Sequence, residues 1–112
     1  LVFLGMGGDG HTASLFPGSA SLDETQRLVL RVDDAPKRPP SRVTFTLPLV
    51  NAARHVALLV TGKEKATALS RVILEDAALP AARVRPTAGT LTILADAAAV
   101  SVSRNPGGGA AS

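Results

Sequence analysis

Residues 1–19 read LVFLGMGGDGHTASLFPGS, in which a short apolar run leads into a glycine-rich turn. The apolar residues 1–4 are typical of a strand that is buried on both faces of a parallel sheet. Residues 5–10 then predict a turn, and one helical turn is expected over residues 12–16 before Pro17 stops it. The stretch therefore predicts a buried strand whose carboxyl end carries a glycine-rich turn.

The remaining sequence alternates between strand and helix patterns. Strands are predicted at residues 28–32, 42–47, 55–60 and 90–94, and helices or helical turns at 48–53, 62–77 and 80–84. The helix at 62–77 is predicted to begin with a capping box in which Thr61 is the N-cap and Glu64 the N3 residue. Asp96 is expected to cap a final short helix of alanines. Strands that alternate with helices imply an α/β fold with a mostly parallel sheet.

The composition is that of one globular domain. The chain has 112 residues, of which 46% are hydrophobic, and its net charge is +3. It contains no cysteine, which excludes disulfides, thiol catalysis and cysteine-ligated metals. The twelve lysines and arginines are scattered, so nucleic-acid binding is only weakly indicated and a small anionic substrate explains one or two of them equally well.

The ends of the sequence carry two further predictions. The chain begins directly inside a strand pattern, so we predict that the N-terminal part of the domain is missing. The domain is expected to cover residues 1–104. Residues 105–112 hold Asn, Pro, three Gly, Ala and Ser, and predict a flexible tail.

The glycine spacing of the turn has a dinucleotide-binding interpretation. Gly5, Gly7 and Gly10 fit the pattern G-x-G-x-x-G, and Asp33 follows a later predicted strand. Such a site needs a long helix that starts at the glycines and faces the pyrophosphate. Because Pro17 ends any helix soon after the turn, this interpretation is disfavoured.

A catalytic interpretation rests on the acid and the imidazole in the same turn. Asp9 and His11 flank one glycine, so the carboxylate can fix the imidazole tautomer and let it take a proton from water. Gly7, Gly8 and Gly10 allow close approach of the backbone, whose N–H groups can steady negative charge. The alternative is a structural turn with a solvated acid and a surface histidine, and the spacing alone leaves both open.

The stretch GMGGDGHTASLFPG at residues 5–18 resembles the signature segment of the 6-phosphogluconolactonase family. Weaker similarities follow in order along the chain, at RVTFTLP (42–48), NAA (51–53), VTGKEKA (60–66), LPAA (79–82) and within residues 89–99. The chain is thereby identified as a member of the glucosamine-6-phosphate isomerase/6-phosphogluconolactonase superfamily.

The resemblance implies a fold and an activity. The expected fold is a Rossmann-like three-layer α/β sandwich, and the expected reaction is hydrolysis of 6-phospho-D-glucono-1,5-lactone to 6-phosphogluconate in the oxidative pentose phosphate pathway. His11 would be the general base with Asp9 beside it, in a cytoplasmic enzyme without metal or cofactor whose partner is a small phosphosugar, not a nucleic acid or a membrane. The related deaminases carry another catalytic acid after their Asp-Gly-His turn. Residues 13–17 read ASLFP and lack it, which favours the lactonase.

Two basic residues are candidates for holding the substrate phosphate. Lys65 follows a predicted strand-to-helix junction, and Arg42 lies on the polar face of its strand, from which its guanidinium can reach out from the sheet. By resemblance both occupy phosphate-contacting positions, whereas a solvated helix face is the alternative for Lys63 and Lys65. The family's N-terminal half also supplies a glycine-rich phosphate loop that this sequence lacks, so a catalytically incomplete module of the same fold is the alternative function.

Other polar residues are assigned no chemistry. His55 is expected to be structural, and Ser14 lacks the G-x-S-x-G context of a nucleophile. The two histidines have no paired spacing, so no zinc site is predicted.

Overall fold

The computed structural model describes residues 1–101, and the tail predicted at residues 105–112 lies outside them. Strands form at β1 (Val2–Gly5), β2 (Val29–Val32), β3 (Arg42–Phe45), β4 (His55–Val60) and β5 (Thr90–Ala95). The α-helices are α1 (Leu47–Asn51) and α2 (Ala66–Ile73), and short 3-10 helices form at Ala20–Asp23, Lys63–Lys65 and Pro80–Arg83. All five predicted strands are confirmed, as are the helical segments at 48–53 and 80–84.

A parallel sheet organises the fold. Its strand order is β1-β4-β5, with both pairs parallel, so the carboxyl ends of the three strands lie at one edge. A separate antiparallel pair is formed by β2 and β3. The predicted α/β class with a mostly parallel sheet is confirmed.

The core lies on one face of the parallel sheet. Leu4, Val56, Leu58 and Val60 point toward this face and are buried against side chains of α2. Helix α2 contributes Ala68, Leu69 and Val72 to the same cluster. Burying such aliphatic side chains stabilises a fold by about 1.5–3 kcal/mol each, so this layer fixes the helix on the sheet.

The opposite face of the sheet is open within residues 1–101. Phe3 is 65% exposed, Leu59 46% and Leu94 52%. The prediction that residues 1–4 are buried on both faces is therefore wrong, because the described helices pack on the other side. An uninterrupted apolar pattern indicates that a strand can be buried on both faces, but it does not show that a second layer of helices covers the sheet.

Strand β3 has one polar and one apolar face, and its polar face is the buried one. The threonine side faces the interior: Thr44 is 2% exposed and Thr46 is fully buried, whereas Val43 is 71% exposed. The hydroxyl of Thr44 accepts the N–H of Ser14 at 3.0 Å and donates to the carbonyl of Phe45 at 2.8 Å. Because the buried hydroxyl has partners, its burial carries no unpaired polar group. The predicted polar face is present, and its threonines point into the fold.

The segment before α2 does not form the predicted capping box. A 3-10 helix at Lys63–Lys65 precedes α2, and Gly62 precedes it with a φ of 101°, which only glycine adopts readily. No side chain caps the start of the 3-10 helix or of α2, and the N–H of Gly62 is bound by the carboxylate of Asp96 at 3.2 Å. At the other end α2 stops at Ile73, and Glu75 takes a positive φ of 65°. The helix is thus shorter than the predicted 62–77.

Two other predicted helical segments form turns. Residues 12–16 contain an isolated bridge between Thr12 and Leu15, with Ala13 at a φ of 50°, so no helical turn follows the glycines. Residues 97–101 form turns, although Asp96 does accept the N–H of Ala99 at 2.9 Å, as a capping residue would. Within the described part of the chain, no helix is long and apolar enough to cross a membrane.

Candidate active site

The candidate site lies at the carboxyl edge of the parallel sheet, after β1 and β4. The turn after β1 is closed by two backbone hydrogen bonds, from Gly7 N–H to His11 at 2.9 Å and from Gly10 N–H to Gly7 at 3.0 Å. The hydroxyl of Thr12 also donates to the carbonyl of Gly5 at 2.7 Å, which ties the turn to the end of β1. The turn therefore holds its side chains in a fixed direction.

Asp9 and His11 form a hydrogen-bonded pair in this turn. Asp9 Oδ1 lies 2.6 Å from His11 Nδ1 and also accepts the backbone N–H of His11 at 3.0 Å. The side chain of His11 is 17% exposed and that of Asp9 is 37% exposed. The predicted proximity of acid and imidazole is present in the structure, with the imidazole the more protected of the two.

The charge state of Asp9 determines the tautomer of His11. Partial burial acts to raise the pKa of Asp9, but the two hydrogen bonds from His11 and the charges of His11 and Lys37 outweigh it, so that the pKa is lowered. Asp9 is therefore an ionised acceptor at neutral pH, and Nδ1 of His11 must donate to it. This leaves Nε2 of the neutral ring with a free lone pair.

The imidazole rests on an aromatic ring. The centroids of His11 and Phe16 are 4.7 Å apart, with their planes inclined by 33°. The guanidinium carbon of Arg42 lies 5.5 Å from the centroid of Phe16. Phe16 is itself buried, and its ring packs against the imidazole of His11. The guanidinium of Arg42 makes a cation–π contact with the same ring.

Two glycines of the turn are required by close packing. A Cβ on Gly7 would lie 2.1 Å from Cε1 of His11 and 2.2 Å from its Nδ1. Gly10 has a φ of 85°, and a Cβ there would lie 2.8 Å from a methyl carbon of Leu79. Gly7 thus makes room for the imidazole, and Gly10 makes room for the core.

A cavity of about 570 Å³ opens beside the pair. It is lined by Gly5, Met6, Gly7, Gly8, His11, Ala13, Lys37, Glu64 and Lys65. Of the residues predicted from the sequence, the structure thus brings Gly7, Gly8, His11 and Lys65 to one cavity. Asp9, Gly10 and Arg42 are not among its lining residues.

Arg42 is engaged with a loop instead of facing the cavity. Its Nε donates to the carbonyl of Pro39 at 2.8 Å, and its Nη2 donates to the carbonyl of Arg38 at 2.9 Å. Both carbonyls belong to the proline-containing loop that joins β2 to β3, so Arg42 holds the end of this loop. The prediction that this guanidinium reaches out from the sheet is wrong, because both bonds hold it to the loop.

Three residues of this site carry no functional signal in the sequence. Lys37 and Glu64 line the cavity, and Phe16 supports the imidazole. Lys37 stands in a proline-rich loop far from His11 along the chain, and no local pattern indicates that the loop returns to the turn. Phe16 follows His11 by five residues, and no regular pattern predicts that an aromatic ring at this spacing packs on the imidazole.

The residues given no chemistry lie elsewhere. His55 is at the amino end of β4, opposite the cavity edge, and its Nδ1 lies 2.8 Å from the hydroxyl of Thr90. Asp33 pairs with Arg31 at 2.7 Å on the surface. No group of three or more potential metal ligands occurs among residues 1–101. No helix begins at the glycine turn, so the structure also lacks the helix that a dinucleotide pyrophosphate requires.

Residues 1–93 match the family model described as glucosamine-6-phosphate isomerases/6-phosphogluconolactonase. The chain belongs to this family. The match covers most of the chain and contains the glycine turn, β4 and the whole of α2. The resemblance inferred from the sequence motifs is confirmed.

Named relatives and solved structures agree with the assignment. The chain is 54% identical to a probable 6-phosphogluconolactonase of Drosophila melanogaster, over 88% of its own length and 42% of the relative. It is 48% identical to the 6-phosphogluconolactonase of Homo sapiens, over 88% of its length and 39% of the relative. The solved 6-phosphogluconolactonase of Trypanosoma brucei superposes with a TM-score of 0.76 at 36% identity, over 89% of this chain and 40% of that one.

These similarities confirm the Rossmann-like α/β class predicted for the chain. The chain spans about two fifths of the length of the relatives that it matches.

Proposed function

We propose that this chain carries the hydrolytic site of a 6-phosphogluconolactonase, which opens 6-phospho-D-glucono-1,5-lactone to 6-phosphogluconate. The observation that carries the proposal is the 2.6 Å contact of His11 Nδ1 with Asp9, at a cavity that Lys65 also lines. An oriented base beside a cationic group suits an ester whose other end is a phosphate. The relatives named 6-phosphogluconolactonase support the choice of substrate.

The geometry supports general-base catalysis by His11. Nε2 takes a proton from a water molecule while the water oxygen bonds to the lactone carbonyl carbon, C1. The C1–O bond of the ring then breaks, and the ring oxygen receives the proton from Nε2. Asp9 keeps Nδ1 protonated throughout and stabilises the imidazolium between the two steps.

The oxyanion formed at C1 needs a donor from the turn. The N–H groups of Gly7 and Gly10 are already used in the turn itself. The N–H of Gly8 makes no hydrogen bond within residues 1–101, and Gly8 lines the cavity. We therefore assign the oxyanion contact to Gly8, and to Gly7 and Gly10 the shaping of the turn.

The proposal assigns the substrate phosphate to Lys65. This side chain is partly buried at the cavity and makes no ion pair among the described residues. Arg42 supports the site through Phe16 and the loop that it holds.

The test is a lactonase assay on freshly prepared 6-phospho-D-glucono-1,5-lactone, corrected for spontaneous hydrolysis. His11→Ala should reduce kcat by about 10²–10⁴-fold, because a positioned base contributes that much. His55→Ala is the matched control, since His55 lies at the opposite end of β4, and its kcat should equal that of the parent. Near-parental turnover by a folded His11→Ala protein contradicts the role of His11.

The alternative of a catalytically incomplete module is favoured by one observation, the two fifths of relatives' length that the chain spans. Binding of 6-phosphogluconate without turnover by the parent chain would support it, and turnover gained on N-terminal extension would show what is lacking.

A glucosamine-6-phosphate deaminase activity would be seen as ammonia release. We further propose a cytoplasmic location, while noting that relatives from Oryza sativa are named chloroplastic.

A further inference from the structure

Two contacts of different kinds hold the imidazole of His11. Asp9 Oδ1 lies 2.6 Å from its Nδ1, which restrains one ring atom but does not by itself fix the tilt of the ring plane. The ring of Phe16 packs against the imidazole, with the centroids 4.7 Å apart and the planes inclined by 33°. This separation lies within the range of favourable aromatic pairs. The hydrogen bond therefore fixes the position of Nδ1, and the aromatic contact restricts the tilt of the ring.

The tilt of the imidazole determines where its second nitrogen points. In the neutral ring Nδ1 donates to Asp9, so Nε2 is the nitrogen that can accept a proton. A general base has to lie within hydrogen-bond reach of the proton that it takes. Because a misplacement of about 1 Å can lower a rate about 10²-fold, a residue that restricts the tilt affects hydrolysis without contacting the substrate.

Phe16 is anchored by residues outside the glycine turn. Its side chain is 2% exposed and forms a buried cluster with Val32, at the end of β2, and Ala35, in the loop that follows. This cluster is separate from the core that joins α2 to the parallel sheet. Shortly before Phe16, the N–H of Ser14 is bound by the buried hydroxyl of Thr44 on β3 at 3.0 Å. The ring that contacts the imidazole is thus packed against the β2–β3 unit.

We propose that Phe16 is a positioning residue for His11: its ring, anchored on β2 and the following loop, sets the tilt of the imidazole and so the direction of Nε2. This role rests on the proposed function, in which Nε2 takes a proton from the attacking water. It needs a planar ring, because an aliphatic side chain can fill the cluster but offers no flat surface to the imidazole. The guanidinium of Arg42 lies 5.5 Å from the same ring, so effects on the imidazole and on Arg42 have to be measured separately.

The first experiment follows the Nδ1 proton of His11 by NMR in the folded chain, without substrate. This proton is protected from exchange with water while Nδ1 donates to Asp9, and it exchanges when the ring leaves that bond. Phe16→Leu removes the planar ring but keeps an apolar side chain. It should speed the exchange about 2- to 10-fold, the factor that corresponds to a lost aromatic pair. Phe16→Tyr restores the ring and should return the exchange rate to that of the parent.

Two packing variants show where the effect originates. Val56→Ala is the matched control, because it truncates a buried side chain of the main core near the amino end of β4. It should lower the free energy of unfolding, measured with urea, without changing the exchange of the Nδ1 proton. Val32→Ala truncates the cluster that anchors Phe16, and should speed the exchange, although less than Phe16→Leu does.

The second experiment measures hydrolysis of 6-phospho-D-glucono-1,5-lactone by the parent and the Phe16 variants. Phe16→Leu should lower kcat about 2- to 10-fold and leave KM unchanged, because the ring acts on the base and not on the bound substrate. Phe16→Tyr should restore kcat. If the ring acts through Arg42 instead, Phe16→Leu should change KM and leave kcat unchanged.

Three results would overturn the inference. A folded Phe16→Leu protein whose Nδ1 proton exchanges at the parental rate shows that the ring does not position the imidazole. A raised KM with unchanged kcat assigns the ring to Arg42. Equal acceleration of the exchange in Val56→Ala and Phe16→Leu shows a general effect of lost packing. Failure of the proposed function gives a different result, a parent chain that shows the exchange difference but does not hydrolyse the lactone, and it leaves the positioning of His11 by Phe16 in place.

Discussion

At the scale of single residues, the charge state of the Asp9 carboxylate determines which nitrogen of His11 carries the proton. Its two hydrogen bonds to His11 lower its pKa against the opposing effect of partial burial. The same bonds place a proton of the imidazole on Nδ1, so that in the neutral ring Nε2 is the nitrogen with a free lone pair. The acid was found from the sequence because only one residue separates it from His11, so the pairing is local. Its protonation state depends in addition on Lys37, which no local pattern places nearby.

The lowered pKa of Asp9 predicts a contribution to stability that depends on pH. Because the folded-state pKa lies below the unfolded value, the contribution is complete above the ordinary aspartate pKa of about 3.9 and is lost as the pH falls through the folded value. Asp9→Asn removes it at every pH. Urea unfolding from pH 7 downward should therefore show the free energies of unfolding of parent and variant converging below about pH 4. If the free energies of unfolding of parent and variant differ by the same amount at every pH in this range, the pairing of Asp9 with His11 is contradicted.

At the scale of elements, apolar runs located the strands and helix signals were less reliable. The run HVALLV at 55–60 coincides with β4, because a strand buried in the middle of a sheet needs little more than apolar side chains. The capping box is absent because the helical segment starts one residue later than predicted, with Gly62 instead of Thr61 at the N-cap of the 3-10 helix Lys63–Lys65. The spacing of Thr61 and Glu64 therefore no longer matches the motif. The buried face of β3 depends on a contact distant in sequence, because the hydroxyl of Thr44 accepts the N–H of Ser14.

Asp96 is expected to stabilise the segment that carries Lys65. Its carboxylate accepts the N–H of Gly62 at 3.2 Å and that of Ala99 at 2.9 Å, and so joins the approach to α2 with the turn after β5. Asp96→Ala leaves both N–H groups without this acceptor and should lower the free energy of unfolding by about 0.5–2 kcal/mol, the cost of losing a cap. Urea denaturation measures it. Asp34→Ala, on the exposed loop, should change the value by less than about 0.5 kcal/mol, and an equal effect of both variants contradicts the role of Asp96.

At the scale of the whole molecule, the strand order of the parallel sheet brings the predicted site residues His11 and Lys65 to one cavity. His11 and Lys65 come after neighbouring parallel strands, β1 and β4, so their meeting at one edge follows once the sheet is known to be parallel. Lys37 could not be placed in this way. Its loop belongs to the separate β2–β3 pair, and the position of that pair depends on buried contacts such as Thr44 with Ser14. The order of the elements does not reveal those contacts.

The open face of the sheet gives a prediction about the molecule as a whole. Phe3, Leu59 and Leu94 form an adjoining apolar surface on the face without a described helix, whereas parallel sheets are ordinarily covered on both faces. Such a surface should bind the dye ANS in the native state. Phe3→Thr combined with Leu94→Thr should reduce ANS fluorescence, because threonine keeps strand propensity and removes apolar area. Leu74→Thr is the control, since Leu74 is 79% exposed but lies after α2, away from this face, and it should leave the fluorescence unchanged. If the control lowers the signal as much as the double variant, the dye reports scattered apolar side chains and not this face.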